Sequence, residues 1–248
     1  MVRSWFRLAL VMLLLVSGCA KKEIRPVDEA VKKDSSLEEL LTLYQLRRQE
    51  WSGFKGLLEI TADSERQGRH TFQASWVHRN GETRIRGFNL LGGTLFELRL
   101  AGPRVILHLP SEQRTIEATR EEFEEEVRTA IPIGSLALID WVNRGAIPDP
   151  APPSLPALEK GEDRFILYLL RALPGKAVLE EKIWIERTAF RLERVERFAM
   201  MGERSGRLIF GDYRKVGRQE FPFEVRGESE GEKVTLRFRE VSPAVPLE

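Results

Sequence analysis

The chain has 248 residues, with 39 Lys and Arg against 38 Asp and Glu and a formal net charge of +1. That balance holds no long basic block, so the concentrated positive surface that nucleic-acid binding needs is not expected. Hydrophobic residues make up 42%, which suits a globular core rather than a disordered chain. The single cysteine excludes a disulfide within the chain.

The first residues, Met1 to Arg7, carry Arg3 and Arg7 and no acid, and an apolar run follows from Leu8 to Val16. This run is shorter than the roughly 20 residues that a transmembrane helix needs. It leads into Val16-Ser17-Gly18-Cys19, an aliphatic residue, two small ones and the only cysteine. The tetrad resembles a bacterial lipobox. The resemblance implies a signal peptide over residues 1–18 and acyl chains on Cys19, where two or more give firm membrane attachment. Ala20 stands where inner-membrane retention would favour Asp, which points to the outer membrane. Loss of the signal removes Arg3 and Arg7 and leaves 37 − 38 = −1. Residues 19–34 read as the lipidated terminus and a polar tether, and residues 35–248 as one domain.

Ser36 with Glu39 three positions later forms a capping-box pattern, and Leu37, Leu40, Leu41 and Tyr44 mark one helical face. Trp51 to Gly53 closes that helix. Strand-like alternation then runs through Phe54–Ile60, Phe72–His78, Thr83–Gly87, Thr94–Leu100 and Val105–Leu109, with a short candidate over Thr115–Ala118. Asn80-Gly81 is the strongest hairpin signal. Residues 120–131 change period: Phe123, Val127 and Ile131 lie four apart, and Pro132 ends the run. Ser135 caps a second short helix with Leu138, Trp141 and Val142 inward and Gly145 at its end. Residues 145–163 read as a proline-rich loop. Strands resume at 165–171, 178–186, 190–195, 208–210, 221–225 and 234–238.

About ten strands and two or three helices predict a mainly β fold. The expected form is a strongly curved antiparallel sheet, an incomplete barrel covered by the helices. The inward side chains Phe72, Trp76, Phe96, Leu98 and Leu107 either fill its core or line a cavity.

Chemistry is sparse. His70, His78 and His108 show no metal-ligand spacing, so no metal site is expected. Ser135 lacks the second glycine of a nucleophile elbow. Gly87, Gly92 and Gly93 form no phosphate loop. No catalytic residue, no cofactor and no enzymatic activity are expected.

Two segments carry a family resemblance. In AIPIGSLALIDWVNRGAIPDP, residues 130–150, Pro132, Leu136, Trp141, Gly145 and Pro148 follow one another around a short helix. In GRLIFGDYRKVGRQEFPFEVRG, residues 206–227, a strand with Tyr213 turns into another with Pro222. Together with the order of elements from Leu37 to Val241, these resemble the LolA/LolB lipoprotein carriers, and more the lipidated acceptor LolB. The resemblance implies an outer-membrane-anchored periplasmic lipoprotein that binds acyl chains and assists lipoprotein localisation. Its partners would be membrane lipid, acylated lipoproteins and a periplasmic carrier. In GFNLLGGT, residues 87–94, Leu90 and Leu91 would form a membrane-insertion loop; the other reading turns both toward the core. The rival function is a non-catalytic envelope scaffold acting through protein contacts. Oligomeric state is not decided by the sequence.

Overall fold

The computed structural model describes residues 32–65, 68–127, 130–149, 154–229 and 231–244. The expected signal peptide, Cys19 and the expected tether up to residue 31 lie outside the described residues. The fold is that of the unit Lys33–Glu248.

Helix α1, Leu37–Glu50, begins as its sequence dictates. The Ser36 hydroxyl accepts from Glu39 N–H at 3.2 Å, and the Glu39 carboxylate accepts from Ser36 N–H at 2.8 Å. Glu38 and Glu39 sit in the first turn and Arg47 and Arg48 in the last, each favoured by the helix dipole. Leu40 and Tyr44 are buried. Arg47 holds the helix down by donating to Phe190 O and Ala189 O, both at 2.9 Å.

Thirteen strands follow: β1 Gly53–Ser64, β2 Gly68–Arg79, β3 Glu82–Phe88, β4 Thr94–Ala101, β5 Arg104–Leu109, β6 Arg114–Thr119, β7 Ser154–Lys160, β8 Arg164–Leu173, β9 Lys176–Glu186, β10 Leu192–Phe198, β11 Arg204–Val216, β12 Gln219–Ser229 and β13 Glu232–Pro243. They form one sheet in the order β6-β5-β4-β3-β2-β1-β13-β12-β11-β10-β9-β8-β7. Two antiparallel meanders are thus joined where β1 pairs with β13, with Ile60 opposite Leu236. Aromatic side chains cement the join. The Phe221 ring lies 5.0 Å from Phe54, 5.1 Å from Phe238 and 5.6 Å, stacked, from Trp51.

The expected strongly curved incomplete barrel is corrected by this topology. The strand order is linear, β6 and β7 are its two edges, and no pairing among the described residues brings one edge to the other. The sheet is open, neither strongly curved nor closed into a barrel. The physical reason lies in the connection from β6 to β7, which links the two opposite edges. Its Phe123, Val127, Ile131, Ile133, Ile139, Trp141, Val142 and Ile147 are all buried. The apolar face is covered by this crossing segment, so the sheet need not curl onto itself to hide it.

Three local expectations also change. The stretch from 120 to 131 is described as helical only over Phe123–Val127, as a short π-helix, and its apolar residues bury as their spacing predicts. Residues 154–160, read as loop, form edge strand β7. Pro156 is tolerated there because one side of an edge strand needs no ladder donor. Phe190 lies in the turn before β10 with φ 55°, not in the strand.

Helix α2, Leu136–Asn143, lies on the apolar face, capped by Ser135, whose Oγ accepts from Leu138 N–H at 3.3 Å. Its last residue ties it to the sheet. Trp76 Nε1 donates to Asn143 Oδ1 at 3.0 Å, and Asn143 Nδ2 donates to Thr83 Oγ1 at 2.9 Å. Trp51 Nε1 donates to the Asn143 carbonyl at 2.7 Å. An Asn143→Leu variant leaves the Trp76 N–H and the Thr83 hydroxyl without these buried partners. Each such loss costs about 1–3 kcal/mol. Urea unfolding is therefore expected to show a lower midpoint with an unchanged slope, and a larger loss than Thr83→Val.

Candidate functional site

The β3–β4 hairpin carries the most exposed apolar residues described in the chain. Leu90 is 96% and Leu91 95% exposed. The turn below them is firmly built. Asn89 N–H donates to Gly93 O at 2.9 Å, and Gly92 N–H donates to Asn89 O at 3.0 Å. The Asn89 side-chain oxygen accepts from Leu91 N–H at 2.9 Å and from Gly93 N–H at 2.8 Å. Gly92 has φ 82°, a left-handed conformation that closes a three-residue hairpin loop. With the backbone donors directed inward to Asn89, both leucines point into solvent.

The strands under the turn are stiffened on both faces. On the core face, a Cβ on Gly87 would stand 2.4 Å from the Phe96 ring, so the missing side chain is what lets that ring lie across β3. Phe96 meets Phe72 edge-on at 5.5 Å. On the polar face, Glu97 receives Arg84 at 2.8 Å, Arg86 at 2.7 Å and Arg99 at 2.5 Å. Burial alone would raise the Glu97 pKa, but the hydrogen bonds from these three arginines outweigh it and hold it down at about 2.

The five residues singled out as core or cavity wall occupy the same wing. Phe72 and Trp76 are on β2, Phe96 and Leu98 on β4, and Leu107 on β5. All five are buried in the main hydrophobic cluster. Trp76 lies between Phe54 and Phe238, at 6.2 and 6.4 Å.

An open cleft lies on the other wing, between the start of α2 and strands β10 to β13. It has a volume of about 220 Å³. Leu138, Leu208 and Val234 give it an apolar floor, and Arg207, Glu228 and Glu232 stand at its rim. Gly134 and Gly227 keep it open, since a Cβ on Gly227 would lie 3.3 Å from Leu208 and 3.5 Å from Leu138.

The histidines are scattered. His78 and His108 lie on β2 and β5, each with a threonine partner, Thr83 at 2.9 Å and Thr115 at 3.2 Å. Burial pushes the His78 pKa down, against the opposing charge of Asp140. Among the described residues no group of three or more His, Cys, Asp or Glu could hold a metal ion. Sequence reasoning missed Asn89, Glu97 and Asn143. An asparagine opening a Leu-Leu-Gly-Gly turn is a readable signal for Asn89. The other two depend on partners in other strands or in a helix and have no local signal.

The acid branch of stability reports on the hairpin. The folded Glu97 pKa lies below the unfolded value of 4.5. Its contribution is therefore complete above about pH 5 and lost as pH falls toward 2. A Glu97→Gln variant is expected to be less stable at pH 7, with its deficit shrinking steadily between pH 4.5 and 2. Thermal unfolding of both proteins across that range checks this.

No family model matches the sequence, and no curated protein matches it significantly. Solved structures do. A LolA superfamily protein from Nitrosomonas europaea aligns with TM-score 0.57 at 12% identity, covering 86% of this chain and 96% of its own. A domain from Vibrio parahaemolyticus named for outer membrane lipoprotein sorting gives 0.57 at 12%, covering 85% and 93%. A protein of the DUF1329 family from Desulfovibrio piger gives 0.59 at 12%, covering 87% and 96%. At such identity these likenesses speak for the fold alone: the chain has a LolA/LolB-like fold.

Proposed function

We propose that this protein is an envelope lipoprotein, held through acyl chains on Cys19, that binds the acyl chains of other lipoproteins and assists their placement in the outer membrane, as a LolB-like acceptor does. The observation that carries the reading is the Leu90–Leu91 tip. Two leucines held out in water by a rigid turn gain on entering hydrocarbon, about 1.5–3 kcal/mol for each fully buried side chain. The LolA/LolB-like fold beneath that tip supports the same reading.

Acyl chains would enter at the cleft under Gly134 and Leu138. As the α2 segment lifts, they would run across the apolar face toward Phe72, Trp76, Phe96, Leu98 and Leu107. Each methylene transferred contributes about 0.8 kcal/mol, enough to offset a local opening. Leu138 and Trp141 would return to cover the face when the cargo leaves. The partners are membrane lipid, acylated lipoproteins and a periplasmic carrier.

A scaffold that binds protein instead has one feature in its favour, the two sheet edges at β6 and β7. Native mass spectrometry separates the readings. The protein is mixed with a triacylated lipoprotein and with the same lipoprotein lacking its acyl chains. A one-to-one complex with the acylated form alone is expected; a complex with both supports the scaffold. The double variant Leu90→Glu, Leu91→Glu is expected to keep its unfolding midpoint, since both side chains are exposed, and to lose delivery of cargo to membranes. Undiminished delivery by the folded variant would refute the role of the tip.

A further inference from the structure

The β10–β11 hairpin repeats the construction of the β3–β4 tip. Ala199 N–H donates to Glu203 O at 2.8 Å, and Gly202 N–H donates to Ala199 O at 2.9 Å. This is the pattern of Asn89, Gly92 and Gly93, with the glycine again left-handed, φ 85° at Gly202 against 82° at Gly92. The two residues before the glycine are again large and apolar. Met200 is 68% and Met201 89% exposed. These two methionines and Leu90 and Leu91 are the four most exposed large hydrophobics described, the next being Leu46 at 54%. The described two-residue turns, Asn80-Gly81, Gly102-Pro103, Pro174-Gly175 and Gly217-Arg218, carry no apolar pair.

The two apolar tips stand at one end of the sheet. Every neighbouring pair of strands is antiparallel, so the turns alternate between two ends along the strand order. Following that alternation from β3–β4 through β1–β2 and β12–β13 leads to β10–β11 at the same end. Six strand spacings separate the tips, about 30 Å along the sheet. No narrow groove covers both, whereas a bilayer surface does.

The attachment of the N-terminal segment is at the opposite end. Lys33 N–H donates to Arg187 O at 3.1 Å, and Arg187 Nε donates to Lys33 O at 3.0 Å, just past the end of β9. Lys160, at the end of β7, donates to Asp34 at 2.9 Å. The 12-residue strand β1 spans about 40 Å. The thirteen residues 20–32 reach at most about 45 Å when extended. A chain anchored at Cys19 is therefore long enough for the tips to meet the anchoring membrane.

We infer that Met200 and Met201 form a second membrane-contact tip, which acts with Leu90 and Leu91 so that the protein meets a lipid bilayer at two points across one end of its sheet. The inference rests on the membrane role proposed for the leucine tip. Two separated contacts fix the sheet's tilt, whereas one would leave it free to swing. Methionine suits the position, being apolar and adaptable to irregular surroundings.

The test uses the full chain reconstituted in vesicles of phosphatidylethanolamine and phosphatidylglycerol. Single variants Met201→Cys, Leu91→Cys and Arg218→Cys each carry a fluorophore, with the unsubstituted chain as background for Cys19. Quenching by nitroxide on the lipid acyl chains is compared with quenching by aqueous iodide. The expected result is lipid quenching and iodide protection at both 201 and 91, and the reverse at 218. A label at 201 open to iodide while that at 91 is lipid-quenched overturns the second tip and leaves the leucine reading standing. A label at 91 open to iodide overturns the leucine reading and with it the two-point contact, whatever the label at 201 reports. Lipid quenching at 218 overturns the proposed orientation. All three positions are exposed, so the substitutions leave the core intact.

Discussion

The indole N–H of Trp76 and the hydroxyl of Thr83 meet the amide of Asn143 in the middle of an otherwise apolar face. A thirteen-stranded open sheet presents far more apolar surface than the two α-helices among the described residues can cover. The chain crosses that surface once, between β6 and β7, and needs a fixed register for the crossing. Apolar packing is non-directional and would tolerate a shifted segment. Hydrogen bonds that must be matched inside a low-dielectric core do not tolerate it. Asn143 therefore fixes where the cover lies.

That arrangement has a functional side. The cover is continuous with the chain rather than a separate layer, and its start at Gly134 and Ser135 borders an open cleft. In the proposed carrier role, this segment would exchange its apolar contacts for those of bound acyl chains. The hairpin tips work by the opposite logic. Asn89 and the arginines around Glu97 make the leucine turn rigid, so its exposed side chains cannot fold back onto the protein.

The edges show a further consequence of an open sheet. A barrel removes its edges by closure, whereas this chain has to manage two. Edge strand β6 carries Arg114 and Glu117, and β7 carries Pro156, Glu159 and Lys160. Charge and proline are common means of discouraging a further strand.

The sequence by itself determined the elements whose causes are local. Ser36 and Glu39 start α1, Ser135 caps α2, Asn80-Gly81 turns β2 into β3, and period-two alternation marks most strands. Leu90 and Leu91 are placed in a loop only through the resemblance to the LolA/LolB carriers, since the spacing of residues 87–94 equally allows both to face the core. The tertiary structure alone decided what depends on distant partners. Strand alternation is the same in an open sheet and in a closed one, so Phe72 or Leu107 could not reveal whether the sheet would curl. Residues 154–160 became a strand because β8 offered an edge, which outweighed the local effect of Pro156. Glu97 took its charge environment from Arg84 and Arg86 on another strand. Asn143 took its role from Trp76 and Thr83, 67 and 60 residues away in the chain. Pairing across such separations is fixed by packing and hydrogen bonding in three dimensions, which residue spacing along the chain does not encode.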